Sequence, residues 1–339
     1  MHVVSTMSAT ETQECNDGAA TETPARSVAA TGASGEPADQ LEKKTDSKVI
    51  LAYTACALIW GTTWYAIRVC IGPQGYPTFP AAALRFTISS LVLAVVWFFY
   101  RKQIKQPTTR ELFWITLAGL LSGVAYGLLY SAEEKIAGGL AAVLSATAPL
   151  IAAIMAMMTR TERLCKTTIY GSLVALVGVA TVFHDRMQVS TAQASAVGIL
   201  LFNAFLNSSS NVAMKHNAQQ TAALASNTIF FLAAATTLWF TAVAAGDCSI
   251  PSPLPVVPTI ALIYLTLFGT LVAFACFFYL LRSTRLSNAM TLAFVTPIIA
   301  LIVDAFWERN VTLTMESYVG IGIVLTGVAI SVLLKGRAS

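Results

Sequence analysis

Charged side chains are scarce in this chain. Only 11% of its 339 residues are Asp, Glu, Lys or Arg, and 56% are hydrophobic, whereas a soluble domain carries roughly 25% charged residues. The 21 Lys and Arg residues outnumber the 17 Asp and Glu residues and leave a net charge of +4, but they form no basic face for a nucleic acid. The composition therefore indicates an integral membrane protein and excludes a nucleic-acid partner.

Motifs of metal-dependent and ATP-driven enzymes are also missing. Neither the zinc-protease pattern H-E-x-x-H nor the phosphate-loop pattern G-x-x-x-x-G-K-[ST] occurs. The six cysteines lack the paired spacing of a zinc site or a disulfide framework: Cys15, Cys56, Cys70, Cys165, Cys248 and Cys276. We therefore expect no enzyme, no metal and no cofactor, with an intramembrane Ser or Asp enzyme as the alternative.

Long apolar stretches are what the chain has in abundance. A helix of about 20 apolar residues crosses a bilayer, and lipid leaves unpaired backbone groups without partners, so each crossing should be helical. The sequence predicts an all-α protein with ten transmembrane helices. Their expected ranges are 49–69, 79–100, 112–131, 136–158, 167–184, 196–214, 222–245, 257–281, 287–306 and 316–334.

Lys and Arg residues are unevenly distributed between the connections. If the N-terminus is inside, the cytoplasmic connections hold fifteen of them, and the opposite side holds only Arg68, Lys135, Arg186 and Arg309. The positive-inside rule then predicts a cytoplasmic (inner) membrane protein with both termini in the cytoplasm. Residues 1–47 are rich in Ala, Thr, Ser and Gly without an apolar signal region, and they are predicted to be a disordered cytoplasmic tail.

The chain also repeats itself at a nearly constant offset. A shift of 147 aligns residues 60–68 with 207–215, and a shift of 148 aligns Pro149 with Pro297. A shift of 149 pairs further glycines, Gly171 and Gly178 with Gly320 and Gly327. Chance similarity between apolar helices would not keep the offset so steady.

The repeat divides the protein into two halves of five helices, residues 48–190 and 191–339. Because five is an odd number, the second half enters the membrane with the opposite polarity. Such inverted repeats are typical of secondary transporters, which hold the solute near the midplane between the halves.

The first half carries four segments in a defined order. They are Trp60-Gly61-Thr62-Thr63-Trp64-Tyr65-Ala66-Ile67-Arg68, Ala83-Leu84-Arg85-Phe86, Pro149 followed by Glu162-Arg163-Leu164, and Gly171 to Gly178. With the ten spans and the repeat, this order resembles the EamA-type branch of the drug/metabolite transporter (DMT) superfamily over about 49–334. The resemblance implies an inverted-repeat carrier with a central cavity and no ATP hydrolysis, often an exporter of amino acids, metabolites or drugs.

Arg85 is the most informative charged residue, because a mid-span Arg costs about 2.5–3.5 kcal/mol on insertion scales. It should face the bundle interior or a wet cavity, where it could meet a carboxylate or phosphate of the solute. The alternative is a structural Arg that caps helix carbonyls or extends outward to water. Asp304, near the outer end of the ninth span, is the predicted partner of Arg85 or a proton site, with a plain interfacial position as the alternative.

Three amides recur every four residues in the sixth span, and they therefore share one helix face: Asn203, Asn207 and Asn211. Amides in lipid must turn inward and hydrogen-bond, so they should line the cavity or else join neighbouring helices. The matching face of the first span offers Trp60, Thr63 and Trp64. Their rings suit an apolar or cationic solute, with packing as the alternative.

Proline and glycine suggest where helices bend and where they approach each other. Pro149 and Pro297 lie within spans at equivalent positions and should kink both helices, which makes them candidate hinges for alternating access. Gly119, Gly123 and Gly127 form a small-xxx-small seam, which predicts close helix packing.

The sequence thus predicts a secondary transporter that exports small organic solutes such as amino acids or related metabolites. An exporter of lipophilic cations or drugs is the alternative, suggested by the rings of Trp60 and Trp64. A channel would show a charged ring or a filter-like repeat, which the sequence lacks. The expected partners are a small organic solute and the lipid bilayer, while proton coupling and oligomeric state stay open.

Overall fold

The computed structural model describes residues 47–133, 145–159, 166–182, 194–307 and 315–333, and all regular structure in these ranges is helical. The predicted N-terminal tail, apart from Ser47, and the first part of the fourth span lie outside them. The helices, in chain order, are α1 (Ser47–Cys70), α2 (Thr78–Tyr100), α3 (Thr109–Glu133), α4 (Ala148–Met158), α5 (Lys166–Val182), α6 (Ala194–Asn217), α7 (Ala223–Ala244), α8 (Val256–Ser283), α9 (Leu286–Trp307) and α10 (Met315–Leu333).

The helices are apolar outside and more polar inside. Within the described ranges six of them are long and apolar enough to cross a membrane, namely α1, α2, α3, α7, α8 and α9. Phe98, Phe240 and Phe306 are exposed on their outer faces, whereas Arg85 and Asn203 are buried. Since charged and amide side chains avoid lipid and turn inward, this distribution is that of a multi-pass membrane protein.

Helices of the N-terminal part pack against helices of the C-terminal part in matching pairs. α1 lies against α8 and α9, and α6 lies against α3 and α4, their counterparts in the sequence repeat. α2 pairs with α7 and α5 pairs with α10. The region surrounded by these contacts is therefore built from both parts of the chain.

The contact between α5 and α10 shows how the two parts are related. A Cβ atom on Gly171 would lie 2.6 Å from the carbonyl oxygen of Gly327, and one on Gly178 would lie 2.9 Å from that of Gly320. The earlier glycine of α5 meets the later glycine of α10, so the two helices are antiparallel. The sequence repeat pairs Gly171 with Gly320 and Gly178 with Gly327. Exchanging the two parts of the chain therefore turns the Gly171–Gly327 contact into the Gly320–Gly178 contact, which is the other contact of the same helix pair.

Two predicted spans are not uninterrupted α-helices. α9 breaks at Thr291, whose hydroxyl lies 2.9 Å from that of Tyr53 on α1. α8 changes to a π-helix over Leu265–Val272 and then returns to α-helix. The apolar pattern continues through both irregularities, so hydropathy alone could not reveal them.

The two candidate hinge prolines lie in different settings. Pro297 lies inside α9, as predicted. Pro149, however, lies in the first turn of α4, after a turn at 146–147, and not in a helix interior, so the predicted kink is wrong at this position. A first-turn proline removes no helical hydrogen bond, because that N–H would have no partner inside the helix.

Candidate functional site

A cavity of about 160 Å³ is lined by residues of α1, α2, α3, α6, α8 and α9, with Ala148 of α4 and Phe230 of α7 also in the wall. It is close in size to the ~150 Å³ cavity that admits benzene in an engineered protein. Seven of the predicted site residues line it, namely Trp60, Thr63, Trp64, Arg85, Asn203, Asn207 and Asn211. Pro149 and Pro297 do not, and the side chain of Asp304 lies outside the described part of the structure.

Arg85 reaches the cavity from the buried face of α2, and only 1% of the residue is exposed. Its Nε donates to Thr270 Oγ1 at 2.6 Å, and Nη2 donates to the Gly269 carbonyl oxygen at 2.9 Å. Nη1 donates to the Tyr130 hydroxyl at 3.3 Å. A guanidinium has five N–H donors, so two of them have no partner among the described residues.

Dipoles and the faces of aromatic rings surround the positive charge of Arg85. The guanidinium carbon lies 5.6 Å from the centre of the Phe86 ring and 5.5 Å from that of Tyr126. Among the described side chains no carboxylate pairs with Arg85, and the described residues that line the cavity include neither Asp nor Glu. Among the described residues, Arg85 therefore brings a positive charge to the cavity without a carboxylate beside it, and such a charge favours an anionic group in a bound solute.

The three amides of α6 have two different roles. Asn203 Nδ2 donates to the Ala125 carbonyl oxygen on α3 at 2.6 Å, and Asn211 Nδ2 donates to Met290 Sδ on α9 at 3.4 Å. Asn207 lies between them, is half-buried and makes no hydrogen bond to another described residue. The outer amides thus join helices, while the middle amide is open to the cavity.

Aromatic rings form much of the remaining wall. The centre of the Trp60 ring lies 5.0 Å from that of Phe277 and 5.5 Å from that of Phe274. The indole nitrogen of Trp60 donates to the Gly269 carbonyl oxygen at 3.3 Å. Thr63 donates to the Trp60 carbonyl within its own helix. These rings offer an apolar surface whose faces also attract cations.

Several residues at this site were not among the predicted ones. Tyr126 and Tyr130 are four residues apart on α3, and this spacing on one face of an apolar helix is a signal that could have identified them. Gly269 and Thr270 carried no such signal, because a π-helix leaves no recognisable mark in an apolar sequence. Sequence reasoning therefore missed the groups that hold Arg85.

Apolar helices around a cavity that combines a cation, amides and aromatic rings define a multi-pass membrane transporter. The comparison with known families agrees, since the EamA-like transporter family matches residues 47–184 and again 194–333. The chain belongs to the EamA-like transporter family. This membership points to a transporter rather than an enzyme.

Several relatives are named as transporters. The chain is 26% identical to the uncharacterized inner membrane transporter YedA of Escherichia coli over 84% of this chain and 90% of the relative. It is 24% identical to the uncharacterized transporter YdfC of Bacillus subtilis, with 85% and 91% covered. It is 25% identical to a probable terminal-alkyne amino-acid exporter of Streptantibioticus cattleyicolor, with 78% and 87% covered.

A solved crystal structure is also similar to this one. The likeness covers 86% of this chain and 98% of the other, with a TM-score of 0.71 and 18% sequence identity. At that identity the likeness supports the fold alone.

Proposed function

We propose that this protein is a secondary transporter that exports small organic solutes, such as amino acids or related metabolites, across the cytoplasmic membrane. Ten helices would form two inverted halves, residues 48–190 and 191–339, that alternate around the cavity. The antiparallel contact of α5 with α10 supports the inversion, and the position of the cavity between both parts of the chain supports alternating access. The excess of Lys and Arg in alternate connections supports cytoplasmic termini.

The observation that carries this proposal is the buried guanidinium of Arg85, which faces the cavity with two N–H donors to spare. Two such donors can bind a carboxylate in the bidentate manner that arginine favours. Asn207 would bind a second polar group of the solute, and the rings of Trp60 and Trp64 would cover its apolar part. A relative that is named as a probable amino-acid exporter is consistent with this solute class.

Conformational change would use the helix discontinuities next to the two prolines. One is the turn at 146–147 before Pro149, and the other is the break of α9 at Thr291 before Pro297. Broken helices near the midplane are a common feature of transporters. Asp304 remains the predicted proton site or partner of Arg85.

A second candidate solute is a lipophilic cation. The aromatic wall around Trp60, Phe274 and Phe277 favours it, because ring faces attract cations. The positive charge of Arg85 opposes it, because the charge lies in the same cavity. We therefore place cations second.

Counterflow into proteoliposomes tests the proposal. Vesicles are preloaded in turn with pooled amino acids, nucleosides, sugars or organic cations, and labelled members of the same pool are added outside. We expect saturable accumulation with the amino-acid pool, and loss of that accumulation in Arg85→Ala at an unchanged protein level, since the variant removes the anion-binding group. Non-saturable equilibration would indicate a channel, and accumulation of cations alone would favour the second candidate.

A further inference from the structure

The π-helical segment Leu265–Val272 of α8 lies directly against the guanidinium of Arg85. Backbone hydrogen bonds in a π-helix run between residues i and i+5, and such segments occur frequently at functional sites. Polar groups from two other helices point at this one. Besides Arg85, Trp60 of α1 donates to the Gly269 carbonyl. The hydroxyl of Ser89 on α2 donates to the Arg85 carbonyl at 2.9 Å and also lies 3.4 Å from the Thr266 carbonyl oxygen.

Two threonines of the segment show what the π-helical pitch changes. Thr266 Oγ1 donates to the carbonyl oxygen of Leu262, four residues earlier, as threonine commonly does in an α-helix. Thr270 Oγ1 donates instead to the carbonyl oxygen of Leu265, five residues earlier, at 3.1 Å. Its only hydrogen is used in this bond, so its lone pair is available to Arg85 Nε, 2.6 Å away.

The neighbouring glycine fixes the distance between the helices. A Cβ atom on Gly269 would lie 2.9 Å from Thr63 Cγ2 and 3.1 Å from Arg85 Nη2. A side chain at position 269 would therefore have to displace Thr63 or the guanidinium itself. Gly269 and Thr270 together hold two of the three nitrogen atoms of Arg85.

We propose that Thr270 is a positioning residue, which aims the guanidinium of Arg85 so that its two remaining N–H donors face the cavity as a fork for a carboxylate. This inference rests on the proposed function and deepens it, because it makes the π-helical segment the source of selectivity for acidic groups. The segment supplies dipoles and no negative charge. The charge of Arg85 thus stays available to the solute.

Binding of benzoate and of its neutral isostere benzamide to the purified protein tests this proposal. Each probe carries a benzene ring, which a cavity of about this size can admit, and ligand-observed NMR titration follows the binding of each. The variants are Thr270→Val, which removes the hydroxyl, Thr270→Ser, which keeps it, and Thr266→Val as the matched control in the same segment. Wild-type protein should bind benzoate about tenfold more tightly than benzamide, as expected for hydrogen bonds to a charged group.

Thr270→Val should lose most of this preference with unchanged benzamide affinity, while Thr270→Ser and Thr266→Val should keep it. Equal weakening of both probes in Thr270→Val would reduce Thr270 to a structural role and overturn the proposal. An undiminished preference in that variant would overturn it too, and so would no preference in the wild type. The counterflow experiment tests the transport proposal separately. If counterflow fails but the benzoate preference still depends on Thr270, the transport proposal is wrong and the positioning role of Thr270 stands.

Discussion

Arg85 is buried, and the groups that hold it among the described residues are weaker than a carboxylate. Arg85 makes three hydrogen bonds and two ring contacts among the described residues. Hydrogen bonds to charged groups are worth about 1.5–3 kcal/mol each, and a mid-span Arg costs about 2.5–3.5 kcal/mol to insert. These interactions alone can therefore offset the cost of insertion.

Asn207 allows a direct test of solute contact at the scale of one residue. Asn207→Ala should weaken solute binding about tenfold or less, since one neutral hydrogen bond contributes roughly 0.5–1.5 kcal/mol. Its melting temperature should stay close to that of the wild type, because this amide bonds to no other described residue. The affinity is measured by the concentration dependence of counterflow, and the melting temperature is measured in detergent.

Asn203→Ala is the matched control on the same helix face. It removes the hydrogen bond to the Ala125 carbonyl and leaves that buried group without its partner, so it should lower the melting temperature more than Asn207→Ala does. If Asn207→Ala lowers the melting temperature as much as Asn203→Ala and leaves affinity unchanged, Asn207 has only a packing role.

At the scale of helices, the seam between α5 and α10 depends on the absence of side chains. A Cβ atom on Gly320 would lie 2.7 Å from the backbone nitrogen of Val182 and 2.8 Å from the carbonyl oxygen of Gly178. Backbone atoms cannot move aside cheaply, so Gly320→Ala should destabilise the protein by about 1–3 kcal/mol, as overpacking does. Thermal unfolding monitored by circular dichroism measures the change.

Gly322, two residues further along α10, provides the control. A Cβ atom there would meet no atom within 4 Å, so Gly322→Ala should keep or slightly raise the melting temperature, because alanine favours helix more than glycine does. Equal effects of the two substitutions would mean that the close contact of α5 with α10 does not contribute to stability.

The sequence predicts the features of these helices that depend on local patterns of residues. The apolar run at 79–100 agrees with α2, since span length follows from hydropathy. The glycine seam on α3 is confirmed at Gly119 and Gly123, where a Cβ would lie 2.5 Å and 2.7 Å from carbonyl oxygens of α7. Spacing also placed the amides of α6 on one face. Their partners on α3 and α9 could not be predicted, because long-range contacts leave no trace in local spacing, and neither could the π-helical pitch of α8.

At the scale of the whole molecule, the two sequence repeats have similar helix contacts but different residues at those contacts. The α3–α7 contact is made by glycines against backbone, whereas the corresponding α2–α8 contact holds Arg85 against the π-helical segment. The arrangement of these helices is therefore symmetric, whereas a buried Arg occurs in only one of the two corresponding contacts. If two inverted halves alternate as proposed, both would act on a solute held at the same buried cation, Arg85.

The inversion itself predicts on which side of the membrane two exposed loops lie. Gln103 follows α2, and Cys248 follows α7; both are exposed. Five crossings would separate them, so they should lie on opposite sides, with Gln103 in the cytoplasm according to the positive-inside rule. The measurement is labelling of single-cysteine variants with a membrane-impermeant maleimide, in intact and in permeabilised cells.

The first variant lacks every cysteine except Cys248. The second variant is made from the first by Cys248→Ser and Gln103→Cys, so that its only cysteine is at position 103. We expect Cys248 to be labelled in intact cells and the cysteine at position 103 only after permeabilisation. Labelling of both in intact cells, or of neither, would mean an even number of crossings between them, which contradicts an inverted five-helix repeat. Labelling of position 103 alone in intact cells would keep the inverted repeat but reverse its orientation, so this pair of variants separates the fold of the halves from their direction in the membrane.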